Sequence, residues 1–160
     1  MKNKFFSKKA FITTLFVVLF SCIISIPFMK KPTDNLALAS SYQQNLDLLA
    51  RAVNGEARGE IYEGQVAVAA VILNRVKHPS FPNTIAGVIY QPGAFTAVTD
   101  GQIHAYLDRN STVYKACQDA LNGWDPSGGA IYYYNPARTT NKWIYSRPVV
   151  KVLGNHTFAK

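Results

Sequence analysis

The spacing of apolar residues predicts an amphipathic helix early in the chain. An apolar residue recurs there every three or four positions, which places all of these residues on one side of a helix. The residues that share this side are Leu46, Leu49, Ala50, Val53 and Ala57. The pattern predicts a helix from about Gln43 to Arg58 that ends near Gly59, because glycine is common just beyond a last helical turn.

Two more helices are predicted by the same reasoning. Residues 65–76 are apolar on nearly every face, which is typical of a helix buried in the core. Ser111 is a suitable N-cap for a third helix, which Gly123 would end. Between these two helices, three prolines indicate a long loop that contains at most a short helix near residues 84–90.

The pattern changes after the pair Gly128-Gly129, where aromatic and β-branched residues become frequent. Such residues favour strands, and they occur at 131–134, 144–145 and 149–153. Helices first and a small antiparallel sheet last predict an α+β fold. Residues 40–160 are enough for one such domain with its own core.

Residues 1–39 are predicted to be a leader. Four lysines precede an apolar run at residues 10–28, which is typical of a signal peptide or of a membrane anchor. The small residues of Ala37-Leu38-Ala39 resemble a signal-peptidase site before Ser40. We therefore expect an exported protein that acts outside the cytoplasm, with residues 10–28 as a membrane tether if the leader is retained. Residues 32–42 are expected to form a polar tether.

The charge of the domain argues against nucleic-acid binding. Six of the 17 basic residues and one of the nine acidic residues lie in the leader, so the rest of the chain carries a net charge of +3. That net charge is ordinary for a domain surface, and the sequence of residues 40–160 contains no run of basic residues. Cys117 is the one cysteine outside the leader, and its place on an apolar helical stripe predicts an inert buried thiol.

Glu56 is the acidic residue with the most informative position on the first helix. At 100° per residue, and with Val53 at zero, Glu56 lies at about −60°, on the margin of the apolar face. Desolvation there disfavours the charged form of a carboxyl group, which suits an acid that donates a proton. Geometry alone favours the other role open to Glu56, that of a cap or an ion-pair partner at the helix end, for example with Arg58 or Arg75.

Several blocks of the sequence carry a resemblance to a known family. The first is NGEARGE at 54–60, and the later ones follow in the same order as in that family. They are YEGQVAVA (62–69), LNRV (73–76), FPNTI (81–85), FTAV (95–98), ALNG (120–123), GAIYYYNP (129–136), WIYSRP (143–148) and HTF (156–158). Together they closely resemble the catalytic domain of the SleB-type spore cortex-lytic enzymes and related cell-wall hydrolases.

The resemblance implies a lysozyme-like α+β domain that acts as a lytic transglycosylase on the peptidoglycan of spore cortex or cell wall. It also implies that Glu56, the first glutamate of NGEARGE, is the essential acid. Peptidoglycan is then the expected partner, no metal or cofactor is expected, and a regulatory protein partner is left open. Whether the substrate is cortex or vegetative wall also stays open.

The residue types and their spacing are also compatible with two other classes of function. A muramidase or glucosaminidase would use a second carboxylate such as Asp100, although a Thr-Asp-Gly sequence is typical of a turn. Glu60 is expected to be solvated or to cap the second helix. A wall-binding module without catalysis would keep the aromatic residues and tolerate loss of Glu56. Scattered histidines and the absence of an H-E-x-x-H spacing disfavour a zinc amidase.

Sugar contacts are expected from the aromatic and amide side chains of the second half of the chain. Tyr132, Tyr133 and Tyr134 alternate along a strand, so one face is buried and the other meets sugar or solvent. The predicted substrate-binding residues are Thr96, Tyr132, Tyr134, Asn135, Trp143 and Tyr145.

Overall fold

Helices come first and a three-stranded sheet follows in the computed structural model, which describes residues 32–160. The α-helices of this part are α1 (Pro32–Ala57), α2 (Tyr62–Lys77), α3 (Ile85–Ile89), α4 (Thr96–Thr99) and α5 (Thr112–Leu121). The strands are β1 (Tyr132–Tyr134), β2 (Val149–Leu153) and β3 (His156–Ala159), and 3-10 helices lie at Gln102–His104 and Lys142–Ser146. Residues Ala37–Lys160 form one compact unit. The predicted α+β class is confirmed.

Helix α2 forms the centre of the core. Every residue from Gly64 to Ile72 is buried, because α3, α5 and β1 pack around this helix. The apolar side of α1 is buried as its spacing predicts, with Leu49, Ala50 and Val53 fully inaccessible to solvent. The third predicted helix is α5, and the Ser111 hydroxyl caps it by accepting from Tyr114 N at 3.3 Å. Cys117 is buried, as predicted, and burial raises the pKa of its thiol.

The prediction that residues 32–42 form a tether is wrong, because α1 begins at Pro32. Proline suits a first helical position, where its missing N–H has no partner to lose. Asp34 in the first turn complements the helix dipole, and the leucines and alanines that follow favour helix. Residues 33–42 are exposed, so local propensity and not core packing accounts for this part of α1.

The sheet has the order β1-β3-β2, with both pairs antiparallel. Phe158 of β3 is therefore opposite Tyr133 of β1 on one side and Lys151 of β2 on the other. Strand β3 was not predicted from the sequence. The predicted strand at 144–145 is wrong, because this segment is the 3-10 helix Lys142–Ser146, which begins where Asn141 Oδ1 accepts from Trp143 N at 3.1 Å.

The loop that follows α2 contains more structure than its prolines indicate. Helix α3 lies where a short helix is predicted, with the Thr84 hydroxyl accepting from Gly87 N at 3.0 Å. Helix α4 and the 3-10 helix Gln102–His104 were not predicted, because four and three residues are too few to show a period. Both elements border the cleft described next.

The predicted leader at 1–39 lies almost entirely outside the described residues, and so does its apolar run at 10–28. Among the helices of residues 32–160, none has the length and apolar character needed to cross a membrane.

Candidate active site

An open cleft of about 1240 Å³ lies where the end of α1 meets β1 and the hairpin between β2 and β3. Three loops complete its walls, and these include residues 91–96, 135–143 and the segment around Gln102. The cleft is large enough for a ligand of several rings, and its lining mixes charged, amide and aromatic side chains.

Glu56 projects into this cleft from the last turn of α1. Its Oε1 accepts a hydrogen bond from Ala97 N at 3.2 Å, and its Oε2 accepts one from the Tyr133 hydroxyl at 3.2 Å. The side chain is half-buried, so the predicted position on the margin of the apolar face is confirmed. Two donors from distant parts of the chain thus fix the carboxyl group while one of its sides faces the cleft.

Gly55 allows the first of these bonds. A Cβ at this position would lie 2.4 Å from the Cβ of Ala97, a distance that no pair of real side chains tolerates. Glycine therefore lets α1 approach α4 closely enough for Ala97 N to reach the Glu56 carboxylate. This explains the residue type in front of the glutamate in the NGEARGE block.

Tyr133 provides the second bond from the inner face of β1. Its burial raises the pKa of its hydroxyl well above the ordinary value, and the negative charge of Glu56 acts in the same direction. The hydroxyl therefore stays protonated and donates a hydrogen bond to Glu56 Oε2. The ring of Tyr133 packs edge-on against His156, with the ring centroids 5.3 Å apart.

Glu60 is a second acid in the cleft, and the prediction that it is solvated or caps α2 is wrong. Its side chain is only 9% exposed, and the N-cap of α2 is Ile61, without a side-chain cap. Glu60 Oε2 accepts from Asn155 N at 2.9 Å, and Oε1 accepts from Asn155 Nδ2 at 3.0 Å. Burial alone would raise the pKa of Glu60, but these two bonds outweigh it and lower the pKa. Glu60 is thus an ionised anchor for the β2–β3 hairpin.

His156 lies beside this anchor and is buried. Its Nδ1 is 3.8 Å from Glu60 Oε1 and has no hydrogen-bond partner among the described residues. Burial lowers the pKa of His156, and its attraction to Glu60 and Glu56 does not reverse that shift. The imidazole is therefore neutral near neutral pH, so Glu60 and His156 do not form an ion pair there.

Arg75 places a buried positive charge behind Glu56. Its Nε donates to Ile131 O at 2.7 Å, and its guanidinium lies 5.3 to 5.8 Å from the ring centroids of Phe81, Phe95 and Tyr132. Burial lowers the pKa of Arg75, while Glu56 and the two neighbouring tyrosines oppose that shift. The arginine lines the cleft and attracts the ionised form of Glu56.

Five of the six residues predicted to bind substrate line the cleft together with Glu56. They are Thr96, Tyr132, Tyr134, Asn135 and Trp143. Tyr132 and Trp143 meet edge to face at 5.3 Å, and the Arg147 guanidinium lies 5.1 Å from the Tyr132 ring centroid. These aromatic side chains form one wall.

Tyr145 is not brought to the cleft. Its hydroxyl donates to Pro136 O at 3.2 Å and to Thr139 O at 3.3 Å, and its ring packs against Tyr134. It therefore supports the loop that carries Asn135. Its prediction as a ligand contact followed from its aromatic side chain in the second half of the chain, and the structure places it in the 3-10 helix Lys142–Ser146.

Asp100 forms a turn, as the Thr-Asp-Gly sequence predicts, and it does not line the cleft. Its Oδ1 accepts from Gln102 N at 3.0 Å, and its Oδ2 accepts from Gln102 Nε2 at 2.6 Å. These bonds lower the pKa of Asp100. Gln102 in turn receives a hydrogen bond from Arg58, which ties the end of α1 to this turn.

Several residues of the site were not predicted as members, namely Tyr133, Asn155 and His156, and Glu60 was not predicted in its observed role. Arg75 was named only as a possible partner of Glu56 in a pairing role. A signal was available for His156 in the HTF block and for Tyr133 in the strand alternation. No short-range pattern indicates Asn155, because its partner Glu60 lies 95 positions earlier.

Glu56 thus lies half-buried in an open cleft with a polar and aromatic lining, in a domain of the α+β class. The family model described as Cell Wall Hydrolase matches residues 59–159. The chain belongs to this family, as the resemblance of its sequence blocks predicts.

Curated and solved relatives agree with that assignment. A spore cortex-lytic enzyme of Bacillus cereus is 58% identical over 133 residues, which are 81% of this chain and 51% of the relative. An alignment that covers 81% of 160 residues necessarily includes Glu56. The chain spans about half the length of the curated relatives it matches first.

Two solved structures are similar in fold and in sequence. One is the catalytic domain of the Bacillus cereus SleB protein, with 61% identity, a TM-score of 0.69, and coverage of 74% of this chain and 91% of that chain. The other is the catalytic domain of the germination-specific lytic transglycosylase SleB from Bacillus anthracis, with 60% identity and a TM-score of 0.69. The matched region covers 74% of this chain and 95% of that chain.

Proposed function

We propose that this chain is an enzyme that cleaves the glycan strands of peptidoglycan by lytic transglycosylation, with Glu56 as its acid and base. The observation that carries the proposal is a single carboxyl group that two donors, Ala97 N and the Tyr133 hydroxyl, hold at the wall of an open cleft. Membership of the Cell Wall Hydrolase family supports the substrate, and the similar catalytic domain of a lytic transglycosylase from Bacillus anthracis supports the reaction.

In the proposed reaction, Glu56 first donates its proton to the glycosidic oxygen as the bond from C1 of the muramic residue to that oxygen breaks. The resulting carboxylate then takes the proton of the muramic C6 hydroxyl, whose oxygen forms a new bond to C1. The products are a free hydroxyl on the leaving sugar and a 1,6-anhydromuramic end. No water is consumed, and Glu56 returns to its starting protonation state.

The environment of Glu56 suits both halves of this cycle. Ala97 N and the Tyr133 hydroxyl are donors, so they stabilise the carboxylate that remains after the first proton transfer. The positive charge of Arg75 acts in the same direction. Proton donation and removal then occur at one group whose position is fixed.

The remaining acids near the cleft argue against a two-carboxylate hydrolase. Both oxygens of Glu60 already accept hydrogen bonds from Asn155, and Glu60 serves to hold a hairpin. Both oxygens of Asp100 are bonded to Gln102, outside the cleft lining. We propose that Glu60 serves the hairpin and that Asp100, outside the cleft lining, serves its turn, so neither is the second carboxylate that an inverting or retaining glycosidase requires.

The substrate is proposed to lie along the wall formed by Tyr132, Tyr134 and Trp143. Aromatic faces suit the apolar faces of sugar rings, and Thr96 and Asn135 offer polar atoms for hydroxyl and acetamido groups. Spore cortex and vegetative wall are both made of this polymer, so the proposed place of action is outside the cytoplasm. Residues 40–160 are proposed as the catalytic domain, and residues 1–39 as its export signal or anchor.

The test is a digest of purified peptidoglycan with the wild type, Glu56→Gln and Asp100→Asn, followed by mass spectrometry of the fragments. We expect anhydromuramic ends from the wild type and from Asp100→Asn. Glu56→Gln should lower the rate by about two to four orders of magnitude, the usual contribution of a general acid and base. Circular dichroism and thermal unfolding of each variant check that the fold is retained.

Two outcomes would contradict the proposal. Reducing ends, together with loss of activity in Asp100→Asn, would identify a two-carboxylate muramidase or glucosaminidase. Binding to peptidoglycan without cleavage by the wild type, unchanged in Glu56→Gln, would identify a wall-binding module.

A further inference from the structure

A second cavity of about 610 Å³ opens on the other flank of α1. Asp47 and Arg51 line it from α1, and a loop that includes His104, Tyr106 and Arg109 forms its opposite wall. Nothing in the proposed reaction requires these residues. Some of them lie close in the chain to residues that line the cleft.

The two cavities are adjacent along two separate parts of the chain. On α1, Arg51 lines the second cavity and Gly55 lines the cleft, which is one helical turn or about 6 Å further on. On the loop, His104 lines the second cavity and Gln102 lines the cleft. The helix and the loop thus each contribute residues to both cavities.

The walls of the second cavity are fixed before any ligand binds. Asp47 accepts hydrogen bonds from Arg109 Nη2 at 2.7 Å and from the Tyr114 hydroxyl at 2.8 Å. These bonds tie the loop and α5 to α1. A preformed site loses less conformational entropy on binding than a loop that must first become ordered.

Tyr106 gives the cavity an exposed aromatic face. Its side chain is 92% exposed, which is unusual for a large ring on the surface of a folded domain. Arg51 lies on the facing wall and forms no ion pair with an acidic side chain of residues 32–160. The exposed ring of Tyr106 suits the apolar face of a sugar, and the Arg51 guanidinium opposite it can donate hydrogen bonds to the hydroxyl groups at the edge of the sugar.

The charges of the cavity favour an uncharged ligand. Two arginines, at 51 and 109, are balanced by two aspartates, at 47 and 108. A cavity built for the carboxylates of stem peptides would be positive, whereas hydrogen bonds to hydroxyl and acetamido groups need no net charge.

We infer that this cavity is a distal binding site for the glycan strand, in which Tyr106 stacks on a sugar several units from the bond that is cut. The inference rests on the proposed function. A second contact on the same strand raises the effective concentration of substrate at the cleft without changing the chemical step. It therefore acts on long strands and not on short ones.

The experiment uses glycan strands of defined length from which the stem peptides have been removed. Initial rates are measured for the wild type, Tyr106→Ala and the control Trp124→Ala, which removes a half-exposed aromatic ring away from both cavities. We expect the KM of Tyr106→Ala on long strands to rise roughly five- to tenfold, the size of one aromatic contact. Its kcat should be unchanged, and on the shortest strand that the wild type cleaves all three proteins should be equal.

Unchanged KM on long strands, or an equal loss on short and long strands, would overturn the inference. An effect that appears only when stem peptides are left on the strand would assign the cavity to the peptide and would also overturn it. Strand binding is measured in parallel in Glu56→Gln with and without Tyr106→Ala. If Tyr106→Ala weakens the binding of long strands more than that of short ones in this background, the distal site is supported. Failure of the wild type to cleave would refute the proposed reaction but not the distal site.

Discussion

Glu56 owes its position to residues that are far from it in the chain. The helical projection predicts that it lies on the margin of the buried face, and that is where it lies. Its two donors come from positions 41 and 77 residues away. A local pattern cannot reveal such partners, because they are set by how the helices and the sheet pack together.

Tyr133→Phe tests whether the second donor matters for catalysis. The substitution removes one hydrogen bond to Glu56 and leaves the ring in place. We expect kcat to fall about tenfold. A hydrogen bond to a charged group contributes about 1.5–3 kcal/mol, and a hydrogen bond from water to Glu56 should recover part of that energy. KM and the unfolding temperature should change little, and both are measured alongside kcat.

Tyr62→Phe is the matched control for this prediction. The Tyr62 hydroxyl also donates to a carboxylate, that of Asp119 at 2.6 Å, but it does so outside the cleft. Equal kcat values in Tyr133→Phe and in the wild type would contradict a positioning role for Tyr133.

At the scale of the elements, the contact between α1 and α4 decides whether the first donor reaches Glu56. Helix α1 follows from the spacing of its apolar residues, whereas α4 does not follow from any spacing. Residues 143–145 show the same limit of prediction from local sequence. Their aromatic and β-branched side chains favour a strand, but they form a 3-10 helix. Long elements are thus predictable here, and the short elements that shape the cleft are not.

Gly55→Ala should disrupt the contact between α1 and α4. The added methyl would lie 2.4 Å from the Ala97 Cβ, so the two helices must separate. We expect a loss of about 1–3 kcal/mol in the free energy of unfolding, typical of overpacking. We also expect a large fall in kcat, because Ala97 N no longer reaches Glu56. Urea unfolding and steady-state rates measure both effects.

Gly59→Ala is the control for that change. It is also in the NGEARGE block, but a Cβ there meets no atom within 4 Å. Its stability and rate should match those of the wild type. A Gly55→Ala variant that behaves the same way would show that the close approach of α1 and α4 is not needed.

At the scale of the whole molecule, Glu60 joins the end of the first helix to the last hairpin. The fold class follows from the order of helices and strands in the sequence, but the strand order β1-β3-β2 and this long-range anchor do not. Pairing between distant segments depends on complementary surfaces that form only when the chain has folded.

Glu60→Gln should lower the stability of the domain in a pH-dependent way. The pKa of Glu60 is lower in the folded state than its ordinary 4.5, so its contribution is complete above about pH 4.5. That contribution is lost as the pH falls through the lower folded pKa. At pH 7 we expect a loss of about 1–2 kcal/mol, because the two donors of Asn155 no longer meet a charged acceptor. The difference from the wild type should shrink below pH 4.5.

Glu63→Gln is the control for this prediction. Glu63 also joins α2 to the hairpin, through an ion pair with Lys151 at 3.1 Å, but both side chains are more than 40% exposed. Exposed pairs of this kind contribute about 0–1 kcal/mol. Urea unfolding from pH 3.5 to 7 measures all three proteins, and equal pH profiles for Glu60→Gln and the wild type would refute the anchor.

Strand β3 follows β1 and β2 in the chain but lies between them in the sheet. During synthesis, then, neither outer strand has its neighbour until the residues up to Ala159 have left the ribosome. Asn155 and His156 reach the wall of the cleft at the same late moment. The wall of the cleft that Asn155 and His156 form is therefore completed only when the last strand has paired with both of its neighbours.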